Sequence, residues 1–219
     1  MIKLCIFDLD GTLTNTITTI NHYLNVALSA NGISSVTEEE SKYLVGNGAK
    51  LLIKRALIAK GAYNDAVFEK VYKDYNEAYN KEPLYLTEVY SGIKELLCEL
   101  KMRGVKLAVL SNKPDYPVKN VIKHFFDGFF DCVRGGIEGV PLKPDKTACE
   151  KILAELGLTR DECAFIGDTS VDIETGKNLG AKTTVGVLWG FRTREELENA
   201  GADIIVSHPS EIISEVFEK

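Results

Sequence analysis

An α/β fold, with a parallel sheet covered by helices on both faces and a helical insertion after the first strand, is what this 219-residue chain predicts. Three observations carry that prediction. From Tyr90 onward, short apolar runs alternate with segments of helical periodicity. Between the first apolar run and Tyr90, every periodic segment reads as helix. Carboxylates, a hydroxyl and ammonium groups recur just beyond the apolar runs, where parallel sheets bind their ligands.

In chain order, residues 3–7 form the first run, too short for a helix and bounded by Asp8. Residues 15–30, 37–44, 50–60 and 64–80 then read as helices, closed by Pro83. Glu38, Glu39 and Glu40 suit an exposed first turn, where negative charge complements the helix dipole. Residues 91–102 place Ile93, Leu96, Leu97 and Leu100 at helical spacing, and Gly104 stops the helix. A strand is expected at 106–110 and another at 128–133. Residues 144–156 repeat the helical pattern with Ala148, Ile152, Leu153 and Leu156, ending at Gly157. Further strands are expected at 163–166, 183–187 and 203–206. Alternation of this kind buries both faces of a parallel sheet. Residues 1–14 and 86–219 are expected to form the core, and 15–85 the helical insertion.

The totals narrow the function. Hydrophobic residues make up 45% and charged residues 26%, as in an ordinary soluble protein. A net charge of −6 argues against a nucleic-acid surface, which needs clustered positive charge. It leaves room for an anionic small substrate held by local cations and a metal. No segment approaches the roughly 20 apolar residues of a membrane span, and the opening residues have no signal-peptide organisation. Cys5, Cys98, Cys132, Cys149 and Cys163 are scattered in apolar stretches without a C-x-x-C pair. They read as core thiols of a cytoplasmic protein. His22, His124 and His208 show no metal-ligand spacing.

The polar residues beyond the strands define a candidate site. Asp8 and Asp10 follow the first strand, Ser111, Asn112 and Lys113 the strand at 106–110, and Asp168 and Asp172 the strand at 163–166; Lys143 precedes the helix that begins near Pro144. Each group alone has a plainer reading: a turn at Asp10-Gly11, a helix cap at Ser111 or Asp168, a solvated lysine at 143. Together at one sheet edge they suit phosphoryl transfer. Asp8 and Asp168 offer hard oxygen ligands for Mg²⁺. Thr12, Ser111, Asn112 and Lys143 form the candidate phosphoryl-binding set, whose cation balances charge in the transition state. Residues two apart in extended chain share a face, so one of Asp8 and Asp10 can attack phosphorus while the other handles protons.

In order and spacing, "DLDGT", "SNK", "KPD" and "GDTSVD" resemble the four motifs of the haloacid dehalogenase-like hydrolases. The resemblance spans Asp8 to Asp172. It implies a Rossmann-like core, an all-helical cap over 15–85, and Mg²⁺-dependent hydrolysis of a small phosphomonoester through an aspartyl-phosphate. It makes Asp8 the nucleophile and Asp10 the acid/base, Ser111 and Lys143 phosphoryl ligands, and Asp168 a metal ligand. Asp10 would add its backbone carbonyl to the metal, and Asp172 would sit either just outside the metal's ligands or near Lys143. The stretch "LVGNGAKLLIKRAL" is similar to the phosphoglycolate phosphatase branch. There Asn47, Lys50 and Arg55 are candidates for reading the substrate's carboxylate. Asn15 departs from the acidic residue many relatives carry.

Other activities would share these motifs in whole or in part. A phosphomutase of the β-phosphoglucomutase type or a pyrophosphatase would share the motifs. A phospho-aspartate signalling receiver would have neither the cap nor Asp10, and a dehalogenase would lack Asp10. "GNGAKL" has no third glycine and follows no strand, so it is not a dinucleotide fingerprint. Trp189, Gly190 and Phe191 are placed to edge the pocket or to pack beneath the last loops, and packing is the expectation.

Overall fold

The computed structural model describes residues 1–218. The chain forms two compact units, one of residues 1–15 with the chain from Val89 onward, the other of residues 16–88.

The larger unit is built on six parallel strands: β1 (Leu4–Phe7), β4 (Lys106–Pro114), β5 (Cys132–Gly136), β6 (Cys163–Gly167), β7 (Thr183–Val187) and β8 (Ile204–Val206). Their order is β5-β4-β1-β6-β7-β8. β1 is central, with Phe7 level with Val109 of β4 and Ile166 of β6. Strand order reverses beside β1, the place where open parallel sheets form ligand crevices.

Side chains alternate across the sheet. Leu4, Ile6, Ala108, Leu110, Cys163 and Phe165 pack with Cys149 and Ile152 of α7 (Thr147–Leu156) and Leu179 of α8 (Ser170–Leu179). Cys5, Phe7, Leu107 and Val109 point the other way and are equally buried. Both faces are therefore covered, which explains why these strands are continuous apolar runs. The remaining helices of this unit are α5 (Ile93–Met102), α6 (Asp115–Phe125), α9 (Arg194–Asn199) and α10 (Glu211–Phe217).

Three expectations are corrected. The strand expected at 128–133 begins only at Cys132, because the aromatic run before it serves packing: Phe126 is fully buried and stacks edge-on with Phe130. The strand expected to stop at Leu110 continues to Pro114, with a register shift against β5. Gly135 permits this, since a Cβ there would lie 2.5 Å from the Asp115 Cα. Cys98 is exposed on α5, whose buried face is filled by Ile93, Leu96, Leu97 and Leu100; the other four cysteines are buried and all five are free.

The smaller unit holds α1 (Ile17–Ala30), α2 (Glu38–Leu44), α3 (Ala49–Ala59) and α4 (Asp65–Lys81). Thr37 and Glu40 cap α2 reciprocally, and the Asn64 side chain accepts from the Val67 amide to start α4. Leu24, Leu28, Ile53, Leu57 and Val71 fill its core beside the rings of Tyr23, Tyr75 and Tyr79. Two-residue strands β2 (Thr14–Asn15) and β3 (Glu88–Val89) pair with each other, too short to register as periodicity in the sequence.

Candidate active site

The site lies at the carboxyl ends of β1, β4 and β6, wholly within the larger unit. β1 delivers Asp8, whose amide donates to the Ile166 carbonyl at 2.9 Å. A tight turn follows, with the Leu13 and Thr14 amides both donating to the Leu9 carbonyl at 3.0 Å. Gly11 adopts φ 93°, in the left-handed region, and a Cβ there would lie 2.3 Å from an Asp168 carboxylate oxygen. Glycine is thus required twice over at this position, by conformation and by space.

β6 delivers Asp168, which is fully buried. Its Oδ1 accepts from the Thr12 hydroxyl at 3.1 Å and its Oδ2 from the Phe191 amide at 2.8 Å. Gly190 closes the cradle, because a Cβ there would come within 2.3 Å of Asp168 Cβ and 2.4 Å of the Gly11 carbonyl oxygen. Trp189 donates its indole N–H to the Thr12 carbonyl at 3.0 Å. The sequence favours packing for residues 189–191 over a place at the edge of the pocket. The signal available was their place after β7, at the same sheet edge as Asp168.

Lys143 spans the site from the third side. Its Nζ lies 2.7 Å from Asp172 Oδ1 and 2.8 Å from Asp8 Oδ1. The approach to Asp8 is an ion pair outside hydrogen-bonding direction, so this buried oxygen has no hydrogen-bond donor. Asp172 Oδ2 accepts from the Thr169 amide and hydroxyl, capping α8 while Oδ1 holds Lys143. Asn112 spends both ends of its amide on the Lys143 backbone, at 3.0 and 2.8 Å. Asn112 and Thr12, both expected to bind a phosphoryl group, thus have side chains that position Lys143 and Asp168.

Ser111 is buried on the β4 extension, its Oγ accepting from the Lys113 amide at 3.3 Å. Lys113, which the sequence placed in its motif without a role, reaches Asp10 with Nζ 2.9 and 3.2 Å from the two carboxylate oxygens. No local pattern reveals that pair, since its members are 103 positions apart.

Burial dominates the electrostatics. It pushes the Asp8 carboxyl up to about 7, although Lys143 pulls the other way. Asp168 is raised well above the usual carboxylate range by burial, reinforced by Asp172 and Asp8. Burial alone would lower the Lys143 ammonium, but Asp172 and Asp8 outweigh it and hold the group above its usual range. Oxygens of Asp8, Asp168 and Asp172 lie within 4.8 Å of one another. With all four ionised, the carboxylates of Asp8, Asp10, Asp168 and Asp172, set against the ammoniums of Lys113 and Lys143, leave two negative charges. An all-oxygen donor set with that surplus and a donorless buried oxygen fits a hard divalent cation.

The remaining candidates lie in the smaller unit. Arg55 donates to the Leu44 carbonyl at 3.0 Å and to Asn47 Oδ1 at 2.8 Å, so these two residues brace the loop before α3. Lys50 is exposed in the first turn of α3, its Nζ 5.8 Å from the centre of the Tyr72 ring.

Residues 5–186 match the haloacid dehalogenase-like hydrolase family. Proteins named phosphoglycolate phosphatase are similar over nearly the whole chain. The one from Aquifex aeolicus is 31% identical, covering 96% of this chain and 95% of its own length. That from Rhodospirillum rubrum is 32% identical, covering 92% and 86%. A crystal structure of a predicted phosphoglycolate phosphatase from Haemophilus somnus superposes with a TM-score of 0.90 at 26% identity, covering 97% of each chain. Another, from Lactobacillus delbrueckii subsp. bulgaricus and provisionally given the same name, reaches 0.94 at 29% identity and 99% coverage of both chains. The chain that folds β1, β4 and β6 around Asp8, Lys143 and Asp168 belongs to the haloacid dehalogenase-like hydrolases.

Proposed function

We propose that this hydrolase is a Mg²⁺-dependent phosphatase of small phosphomonoesters, acting through an aspartyl-phosphate on Asp8, with phosphoglycolate as its substrate. The observation that carries the chemistry is the buried Asp8 Oδ1, which has no hydrogen-bond donor and faces Lys143 among further carboxylates. An oxygen left without a donor keeps a lone pair for attack.

Asp8, Asp168 and the backbone carbonyl of Asp10 are the groups that would hold the cation. When bound, it supplies positive charge that relieves repulsion between the Asp8 carboxylate and the phosphoryl oxygens. Asp172 is assigned a different part, since its oxygens are engaged by Lys143 and Thr169. Thr12 and the Phe191 amide fix the direction of Asp168, and Asn112 fixes the backbone that carries Lys143. Lys143 and Ser111 are the phosphoryl-binding side chains.

In the first step an Asp8 oxygen bonds to phosphorus as the ester P–O bond breaks. A proton from Asp10 goes to the departing oxygen. In the second, water attacks phosphorus and gives its proton to Asp10, releasing phosphate and restoring Asp8. Buried, hydrogen-bonded side chains favour this division of labour because little reorganisation is needed during reaction.

The choice of phosphoglycolate rests on the names of the similar proteins and on the smaller helical unit, to which we assign substrate selection as a cap. Within it Lys50 is the candidate anion reader, and Asn47 and Arg55 shape the adjoining loop. No helix among the described residues is long and apolar enough to cross a membrane, and the five free thiols fit a cytoplasmic setting. Hydrolysis of p-nitrophenyl phosphate with Mg²⁺, and its loss with chelator, tests the reaction class. A panel of phosphorylated metabolites tests the substrate; preference for a phosphosugar with formation of an isomer would favour a mutase instead.

A further inference from the structure

The extension of β4 past Leu110 brings a second buried ammonium to the site. Lys113 presents its Nζ to both oxygens of Asp10, at 2.9 and 3.2 Å. The two side chains are only 7% and 17% exposed, so the pair is shielded from screening by solvent. Asp10 sits on the turn after β1, and its carboxylate reaches across to a different strand for this contact. A short acidic side chain on a turn has several accessible rotamers, and contact with both oxygens selects one carboxylate plane. When one oxygen carries a proton, the other still accepts from Nζ. The same contact therefore serves both halves of a two-step reaction.

We propose that Lys113 is a positioning residue for Asp10, holding its carboxyl group in the plane from which it exchanges protons with the leaving oxygen and with water. The inference rests on the reading of Asp10 as acid and base, and adds to it the group that aims it. Lys113 divides the work with Lys143, whose ammonium faces Asp8 and Asp172. One ammonium serves the nucleophile and the phosphoryl group; the other serves the proton carrier. Misplacing a catalytic group by about 1 Å costs on the order of 10²-fold in rate.

The test compares Lys113→Met and Lys113→Arg with Asp10→Asn on two esters, p-nitrophenyl phosphate and an alkyl phosphate. The aryl leaving group needs little help from an acid, and the alkyl one needs much. Because kcat/KM ends at the first irreversible step, transfer to Asp8, Lys113→Met is expected to lower kcat/KM for the alkyl ester about 10²-fold and that for the aryl ester far less, while inhibition by inorganic phosphate stays nearly unchanged. Lys113→Arg should recover much of the alkyl rate, and adding Lys113→Met to Asp10→Asn should cost little more than Asp10→Asn alone. Melting curves and inhibition by inorganic phosphate show that each variant is folded and binds anion; if the Met variant fails this check, the Arg variant and the Asp10→Asn background carry the test. Equal loss of kcat/KM on both esters, or much weaker inhibition by inorganic phosphate, with a selective Asp10→Asn would make Lys113 an anion ligand and overturn the inference alone. Equal loss of kcat/KM on both esters in Asp10→Asn would overturn the acid role of Asp10, and the inference with it.

Discussion

Replacing Lys143 by methionine removes the only ammonium within ion-pair distance of both Asp8 and Asp172, among the described residues. The side chains of Lys143 and Asp172 are 2% and 1% exposed, so water cannot take over the lost charge. Breaking a buried pair in this way costs about 3–5 kcal/mol. In a chain of this size that is a fall of roughly 6–20 °C in melting temperature. The loss should depend on pH, with a sign fixed by Asp8. Its folded carboxyl is raised to about 7, so its contribution to stability is full below the unfolded value near 3.9 and is lost as pH rises through 7. Without Lys143 the one attraction opposing burial disappears, and the carboxyl rises further. Melting of Lys143→Met and the parent chain in chelator, at pH 8 and pH 5.5, should show a large gap that narrows at the lower pH. A gap below about 1 kcal/mol, or the same gap at both pH values, would refute the reasoning that burial makes these charges interdependent.

Two further outcomes follow from the same geometry. Trp189 is the single tryptophan, and its indole N–H is bonded to the Thr12 carbonyl beside Asp168. Its fluorescence should change saturably on titration with Mg²⁺ without substrate, reverse with chelator, and fail to respond in Asp168→Asn; an unchanged titration in that variant would remove Asp168 from the ligand set. In the helical unit, Lys50→Ala should reduce kcat/KM for phosphoglycolate at least about tenfold more than for p-nitrophenyl phosphate, and equal losses on both would end its role in selection.

Much of the fold is legible because its strands are buried on both faces and its helices on one. Leu4 to Phe7 and Cys163 to Ile166 are unbroken apolar runs, whereas α5 repeats Ile93, Leu96, Leu97 and Leu100. Asp8 and Asp168 could be placed together since both end strands of one parallel sheet, and order in the chain implies proximity there. What stayed hidden depends on contacts between distant segments. The reach of β4 to Lys113 depends on Gly135 of β5 making room for Asp115, which no pattern within β4 records. Thr12 and Asn112 carry hydroxyl and amide groups equally suited to a ligand or to a neighbour, and no pattern in the chain points to the neighbours their side chains meet, Asp168 and the Lys143 backbone. Gly190 looks like a loop glycine until its missing Cβ is seen to admit Asp168.

Everything proposed for the chemistry converges on a bond between Asp8 and phosphorus. Rapid quenching during turnover of phosphoglycolate with Mg²⁺, followed by peptide mass analysis, should find a phosphoryl group on the peptide that carries Asp8 and Asp10. The modification should be absent from Asp8→Asn, a variant that keeps the shape of the side chain, melts near the parent and turns over no substrate. In Asp10→Asn the modified peptide should accumulate, because water attack lacks its base. Full turnover by a verified Asp8→Asn protein, or an unmodified peptide throughout turnover in both the parent and Asp10→Asn, would contradict nucleophilic catalysis by Asp8.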